Sequence, residues 1–281
     1  MTNTEAFNDF IKRFKQLIVK NPRLIKTTLS NIFTMRLIGN KTHGDLAEIG
    51  ISEFINQFMY DFSSIHVGKE LYRAKKHEED IRITNEISKM DFSISLKAYG
   101  DGPLQLSTDK NTIMFPYLSS FKKGVINGTK TIMKIFSSKE FLEFGNINIL
   151  PLIYDEKNKK CNIMVFDFAK VKNSTTIIKL ESAGKGRKHP VFRFFDSANN
   201  YICEVRYGDS AANALQRGLW TNTKHAAPYF NSVTNGWIDY SDNPLLVKLF
   251  SYALVSTSKG HNEALKSLMA DIEVQKTNMN G

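Results

Sequence analysis

A chain of 281 residues that is 42% hydrophobic carries enough apolar material for one substantial core, which argues against an intrinsically disordered polypeptide. Its 38 lysines and arginines against 28 acidic residues give a net charge of +10, so a polyanion such as nucleic acid is a plausible partner. The two cysteines, Cys161 and Cys203, stand singly in apolar runs, which disfavours a zinc site or a disulfide framework and predicts buried free thiols in a cytoplasmic protein.

In chain order, Phe7, Phe10, Ile11, Phe14, Leu17 and Ile18 recur at helical spacing after a capping candidate at Thr4, so residues 4–20 read as an amphipathic helix ending before Pro22. A second helix is expected from Pro22 to about Leu37. Asp45 to Lys76 is again helical in period, with Ile49, Phe58, Met59 and Phe62 as the buried stripe and a break around 63–67. The N-terminus lacks a secretory apolar run and no window holds about 18 consecutive apolar residues, so no membrane association is expected.

The pattern changes at Asp80. Asp80-Ile-Arg-Ile83 and Phe92-Ser-Ile-Ser-Leu-Lys97 alternate in polarity across a polar connection, as a hairpin requires. Ile147 to Tyr154 and Asn162 to Phe168 flank the turn-like DEKNKK, and Val191 to Phe195 and Tyr201 to Arg206 flank DSANN, predicting two further hairpins. Beyond Asn243 helical spacing resumes, and Gly260 to Gln275 reads as a closing helix with Leu265, Leu268 and Ile272 inside. The expected fold is a single mixed α/β domain: a helical part over 1–76, a sheet-containing core over 77–240 and C-terminal helices over 241–281.

Hydrolysis of a phosphodiester with a divalent ion needs carboxylate oxygens for the metal and a cation to organise water and phosphate. The first hairpin offers both, because Asp80 opens one strand and Lys97 closes the other, with Ser95 on the same face as Lys97. Glu78 and Glu79 lie just upstream and Glu70 on the preceding helix. A surface charge pair, Asp80 with Arg82, is the plainer account of Asp80 taken alone. A competing centre is Asp196 with Glu204-Val205-Arg206, but an arginine stays protonated and serves poorly as a proton acceptor.

An Asp on one strand followed, after a hairpin, by a strand ending in (Glu/Ser/Gln/Asn)-x-Lys resembles the PD-(D/E)xK nuclease superfamily, whose largest group is the type II restriction endonucleases. The match here is Asp80 with Ser95-Leu96-Lys97, followed by AYGDGPLQLSTDK; the later RYGDSAANALQRGLWT is similar to the wording of the same enzymes. The resemblance implies a central mixed sheet flanked by helices, magnesium as cofactor, double-stranded DNA as substrate, a homodimer, and a DNA methyltransferase as functional partner. It makes Asp80 a metal ligand and Lys97 the residue that orients or activates water, with Gln105 touching the backbone or a ligand from a following helix start. This chain departs from the pattern at Ser95, where the superfamily has an acidic residue, so a second carboxylate must come from Glu79, Glu78 or Glu70. A repair nuclease of the same fold and a non-enzymatic DNA-binding regulator are the rival readings. No GxGxxG fingerprint, P-loop, GxSxG elbow or HExxH pair is present to suggest a metabolic enzyme.

For reading DNA, Gly184-Lys-Gly-Arg-Lys-His189 suits approach to a phosphate backbone through Lys185, Arg187 and Lys188. Arg193, Arg206, Asn213, Gln216, Arg217, Asn222, Lys224 and His225 have side chains of the kind that reach base edges or phosphates. Trp220, Tyr229, Phe230 and Trp237 interleave this region and are expected in the core.

Overall fold

The computed structural model describes residues 2–38, 42–67, 80–100, 102–108, 113–141, 148–183, 189–207, 217–255 and 258–279. Three helices open the chain, α1 (Asn3–Lys20), α2 (Pro22–Ile38) and α3 (His43–Phe58). Thr2, not Thr4, caps α1: its hydroxyl accepts from Glu5 N and the Glu5 carboxylate accepts from Thr2 N, a reciprocal pair that satisfies two exposed backbone donors. Thr42 and Asp45 repeat the device at α3.

Seven strands form a mixed sheet, β1 (Phe62–His66), β2 (Ile81–Asn85), β3 (Met90–Gly100), β6 (Ile149–Asp155), β7 (Lys160–Phe166), β12 (Phe230–Ser232) and β13 (Ile238–Asp239). Their order is β1-β2-β3-β6-β7-β12, with β13 also on β7, and β3 runs parallel to β6 while the other neighbours are antiparallel. Ile81, Ile83, Phe92, Ile94 and Leu96 face α1 and α3 and are buried there, whereas Asp80, Arg82, Ser93, Ser95 and Lys97 occupy the opposite face. Phe10 of α1 ties helix to sheet: its ring stacks on Phe14 at 5.4 Å and meets Phe62 at 5.5 Å and Phe92 at 5.7 Å.

A second sheet of six antiparallel strands runs β4 (Pro103–Ser107), β11 (Gly218–Asn222), β10 (Tyr201–Arg206), β9 (Val191–Phe195), β8 (Ile177–Glu181) and β5 (Val125–Asn127). Its inner face, with Leu104, Phe192, Phe194, Val205 and Leu219, shares a second apolar core with α4 (Met114–Ser119), α5 (Thr129–Phe136) and α6 (Phe168–Ser174). Helices α7 (Pro244–Val255) and α8 (Ser258–Met279) close the chain; α8 packs on α7, and α7 docks on α2, its entry held by bonds from Asn243 N to Thr34 Oγ1 and from Ser241 N to Ser30 Oγ. Among the described residues no helix is long and apolar enough to cross a membrane.

The mixed α/β class and all three expected hairpins are present. The differences have physical causes. The break expected around 63–67 is strand β1, and Phe62, expected on the helical stripe, opens it, because Phe62 buries itself under Phe10 while Ser64 bonds back to Asn56 of α3. The sheet material divides into two sheets, each with its own core. Ile49 and Ile272 are exposed, not buried. The side chain of Leu265 lies outside the described residues.

Candidate functional site

The geometry of the first hairpin follows from its turn. Asn85 Oδ1 accepts from Ile87 N and Ser88 N, and Lys89 takes a positive φ of 56°, so four residues reverse the chain and fix Asn85 opposite Met90. Arg82 pairs with Asp91, and Thr84 Oγ1 donates to the same carboxylate at 2.8 Å. This register sets Ile81 opposite Ile94, and Asp80 N donates to Ile94 O at 3.1 Å, which brings Asp80 abreast of Ser95.

Ser95 Oγ donates to Asp80 Oδ2 at 2.9 Å, and Lys97 Nζ stands 3.9 Å from the same oxygen. The two charged side chains retain 18% and 28% of their exposure, so the centre is recessed but open to solvent. Arg82 is committed to Asp91, which removes the plainer explanation of Asp80 as that arginine's partner. The 3.9 Å separation is longer than a charge-assisted hydrogen bond of roughly 2.7–2.9 Å and leaves Lys97 room to donate to another oxygen. On the far side of β3, Ser95 N donates to Asn148 O at 2.9 Å, so the parallel strand β6 holds the serine in place.

Asp80, Ser95 and Lys97 are thus brought together. Glu70, Glu78 and Glu79 lie outside the described residues, as do Lys185, Arg187, Lys188, Asn213 and Gln216. No group of three or more His, Cys, Asp or Glu side chains converges as a metal site among the described residues. Magnesium commonly takes only one or two protein carboxylates and fills its octahedron with water and phosphate oxygens. Asp80 meets that minimal demand, since its carboxylate is recessed and hydrogen-bonded to one neighbouring hydroxyl.

Gln105 departs from expectation. It lies on β4, not at a helix start, and its Nε2 donates to Arg217 O at 3.0 Å, joining β4 to the segment entering β11. Asn222 Oδ1 accepts from Lys224 N and His225 N, shaping the turn after β11, while Lys224 is exposed.

The competing centre does not assemble. Asp196 closes the β9–β10 turn, accepting from Ala198 N, Asn200 N, Asn200 Nδ2 and the Tyr229 hydroxyl. Burial pushes its carboxyl up, but the bonds from Asn200, Tyr229 and Ala198 outweigh that and hold it below the ordinary range. Glu204 instead sits between two arginines on the outer face of the second sheet. Arg193 Nε donates to Oε2 at 3.1 Å and Arg206 Nε donates to Oε1 at 2.8 Å. The Arg206 guanidinium lies over the Trp220 ring at 3.7 Å from its centroid. Trp220 therefore serves as a platform on the outer face rather than as core, and Trp237 is 47% exposed, whereas Tyr229 is buried as expected. The sequence signal for this cluster was the pairing of Glu204 and Arg206 two apart on one strand; nothing local pointed to Trp220 as their neighbour. Cys161 and Cys203 are free and buried, and burial drives both thiols up, away from nucleophilic or metal-binding use.

No known protein family, curated protein or solved structure matches the chain.

Proposed function

We propose that the chain is a magnesium-dependent endonuclease of the PD-(D/E)xK kind, hydrolysing phosphodiester bonds of double-stranded DNA at a specific sequence as a type II restriction enzyme. The observation that carries this reading is the meeting of Asp80, Ser95 and Lys97 on the polar face of one hairpin, with Lys97 Nζ 3.9 Å from the Asp80 carboxylate. A net charge of +10 accords with a polyanionic substrate.

Each residue has a role in this chemistry. Asp80 would hold magnesium, which when bound supplies positive charge beside the scissile phosphate and acidifies water. Ser95 fixes the Asp80 carboxylate through its hydroxyl proton, leaving the other oxygen, Oδ1, for the ion. Lys97 donates to a phosphate oxygen or to the attacking water, orienting the water for in-line attack. The water oxygen forms the new bond to phosphorus as the bond to the leaving sugar oxygen breaks; the water gives up a proton and the leaving oxygen gains one. A second carboxylate is assigned to one of Glu70, Glu78 and Glu79. A homodimer on a symmetric site and a companion DNA methyltransferase belong to the same reading.

The test is digestion of phage DNA by the purified chain with magnesium, with chelator as control. Discrete fragments are expected, and Asp80→Asn and Lys97→Ala should each lower cleavage by at least about a hundredfold while melting as the parent does. Normal cleavage by both variants would refute the site. A smear would favour a non-specific repair nuclease, and salt-sensitive binding without strand breaks would favour a regulator.

A further inference from the structure

Arg206 is held in an unusual way for a surface arginine. One edge of its guanidinium is taken by Glu204, through Nε at 2.8 Å, and one flat face is taken by the Trp220 indole at 3.7 Å. Among the described residues it makes no other polar contact, and 30% of its side chain is exposed. What remains presented is the outer, two-pronged edge of the guanidinium, in a plane fixed by its neighbours.

Charge balance alone does not require this arrangement. Glu204 is 5% exposed and needs a counter-charge, but Arg193 already supplies one through its own Nε. Arg193 is in turn steadied by Glu181 at 3.0 Å and by the Tyr201 ring at 5.8 Å from its guanidinium carbon. A phosphate can take the same fork, but as a tetrahedral acceptor it is also served by lysine point charges, of which this basic chain has many. A fixed, planar fork is of use where the acceptor is itself planar and bidentate, and the major-groove edge of guanine, O6 with N7, is that acceptor in duplex DNA. Fixing the fork beforehand also reduces the ordering cost on binding.

We propose that Arg206, buttressed by Glu204 and laid on Trp220, reads a guanine in the DNA that this chain binds. The inference rests on the nuclease reading above for its substrate, but it concerns the outer face of the second sheet and not the hydrolytic centre.

The experiment uses the full chain carrying Lys97→Ala, so that binding is scored without cleavage, on a pool of duplexes randomised over about 12 base pairs, roughly one helical turn. Bound duplexes are sequenced. The parent should enrich a motif containing guanine, and adding Arg206→Lys, which keeps the charge and discards the fork, should erase the guanine preference at one position of the motif or its symmetric pair. Affinity for the selected duplex should fall about 5- to 150-fold, with the salt dependence unchanged. A motif and affinity unaltered by Arg206→Lys would overturn the proposal. So would uniform weakening on all duplexes with the log-log salt slope reduced by about one, the mark of a phosphate contact. Should Arg206→Lys melt early, Trp220→Phe provides the second arm, and it should relax the same position while the rest of the motif persists; an unrelaxed motif overturns the assignment. Failure of the underlying nuclease reading looks different, since the otherwise wild-type chain would then leave duplex DNA uncut in the presence of magnesium.

Discussion

A lysine 3.9 Å from a carboxylate, with both groups still in contact with water, adds at most about 1 kcal/mol to folding. The Asp80–Lys97 pair is therefore poorly explained as a stabilising device. Ser95 gives a finer test of its use. Because the serine hydroxyl orients Asp80 without bearing charge, Ser95→Ala should reduce cleavage by about tenfold, matching the loss of one hydrogen bond to a charged acceptor, while Asp80→Asn should cost far more. Equal effects of the two substitutions, measured as initial rates on a single-site plasmid, would mean that Ser95 does more than position its neighbour. These three residues were legible because strict alternation along Asp80 to Ile83 and along Phe92 to Lys97 fixes which side chains share a face. Gln105 was not, because its partner is the carbonyl of Arg217, 112 residues along the chain, and no local pattern reports such a contact.

Elements were legible in proportion to how far their own sequence decides them. The first hairpin carries two alternating runs and the other two carry mainly apolar runs, each pair about a polar turn, enough to specify pairing locally. Strand β1 fails this criterion: Phe58, Met59, Phe62 and Ile65 fall at helical spacing, and the non-local packing of Phe62 under Phe10, with the Ser64 bond to Asn56, selects the extended form. Helix α1 thus holds both β1 and β3, and Phe10 is its anchor. Phe10→Ala should destabilise the chain by about 3–5 kcal/mol, seen as a lower urea midpoint, and should reduce cleavage before global unfolding as the hairpin loses its backing. A loss under about 1 kcal/mol would show that α1 does not support the site.

Across the whole molecule, the division into two sheets was hidden because its deciding contacts are non-local. Strand β4 follows β3 almost immediately, yet pairs with β11 and belongs to the other sheet. Gly102 makes the change of direction with a φ of +155°, open to glycine, and is tied in both directions to Thr223: its N–H donates to Oγ1 and its carbonyl accepts from Thr223 N, each at 2.9 Å. On the proposed reading, the chain that cuts and the sheet that reads meet at this short joint. Two glycines inserted after Gly100 should leave binding to the selected duplex within about threefold, on the view that new flexible residues cost little, but should scatter the ends mapped at single-nucleotide precision. Ends unchanged in position and yield would argue against the joint having that role. If it has it, the offset between recognised bases and broken bond is a length written into the backbone, a ruler whose zero is Lys97 and whose first graduation is Gly102.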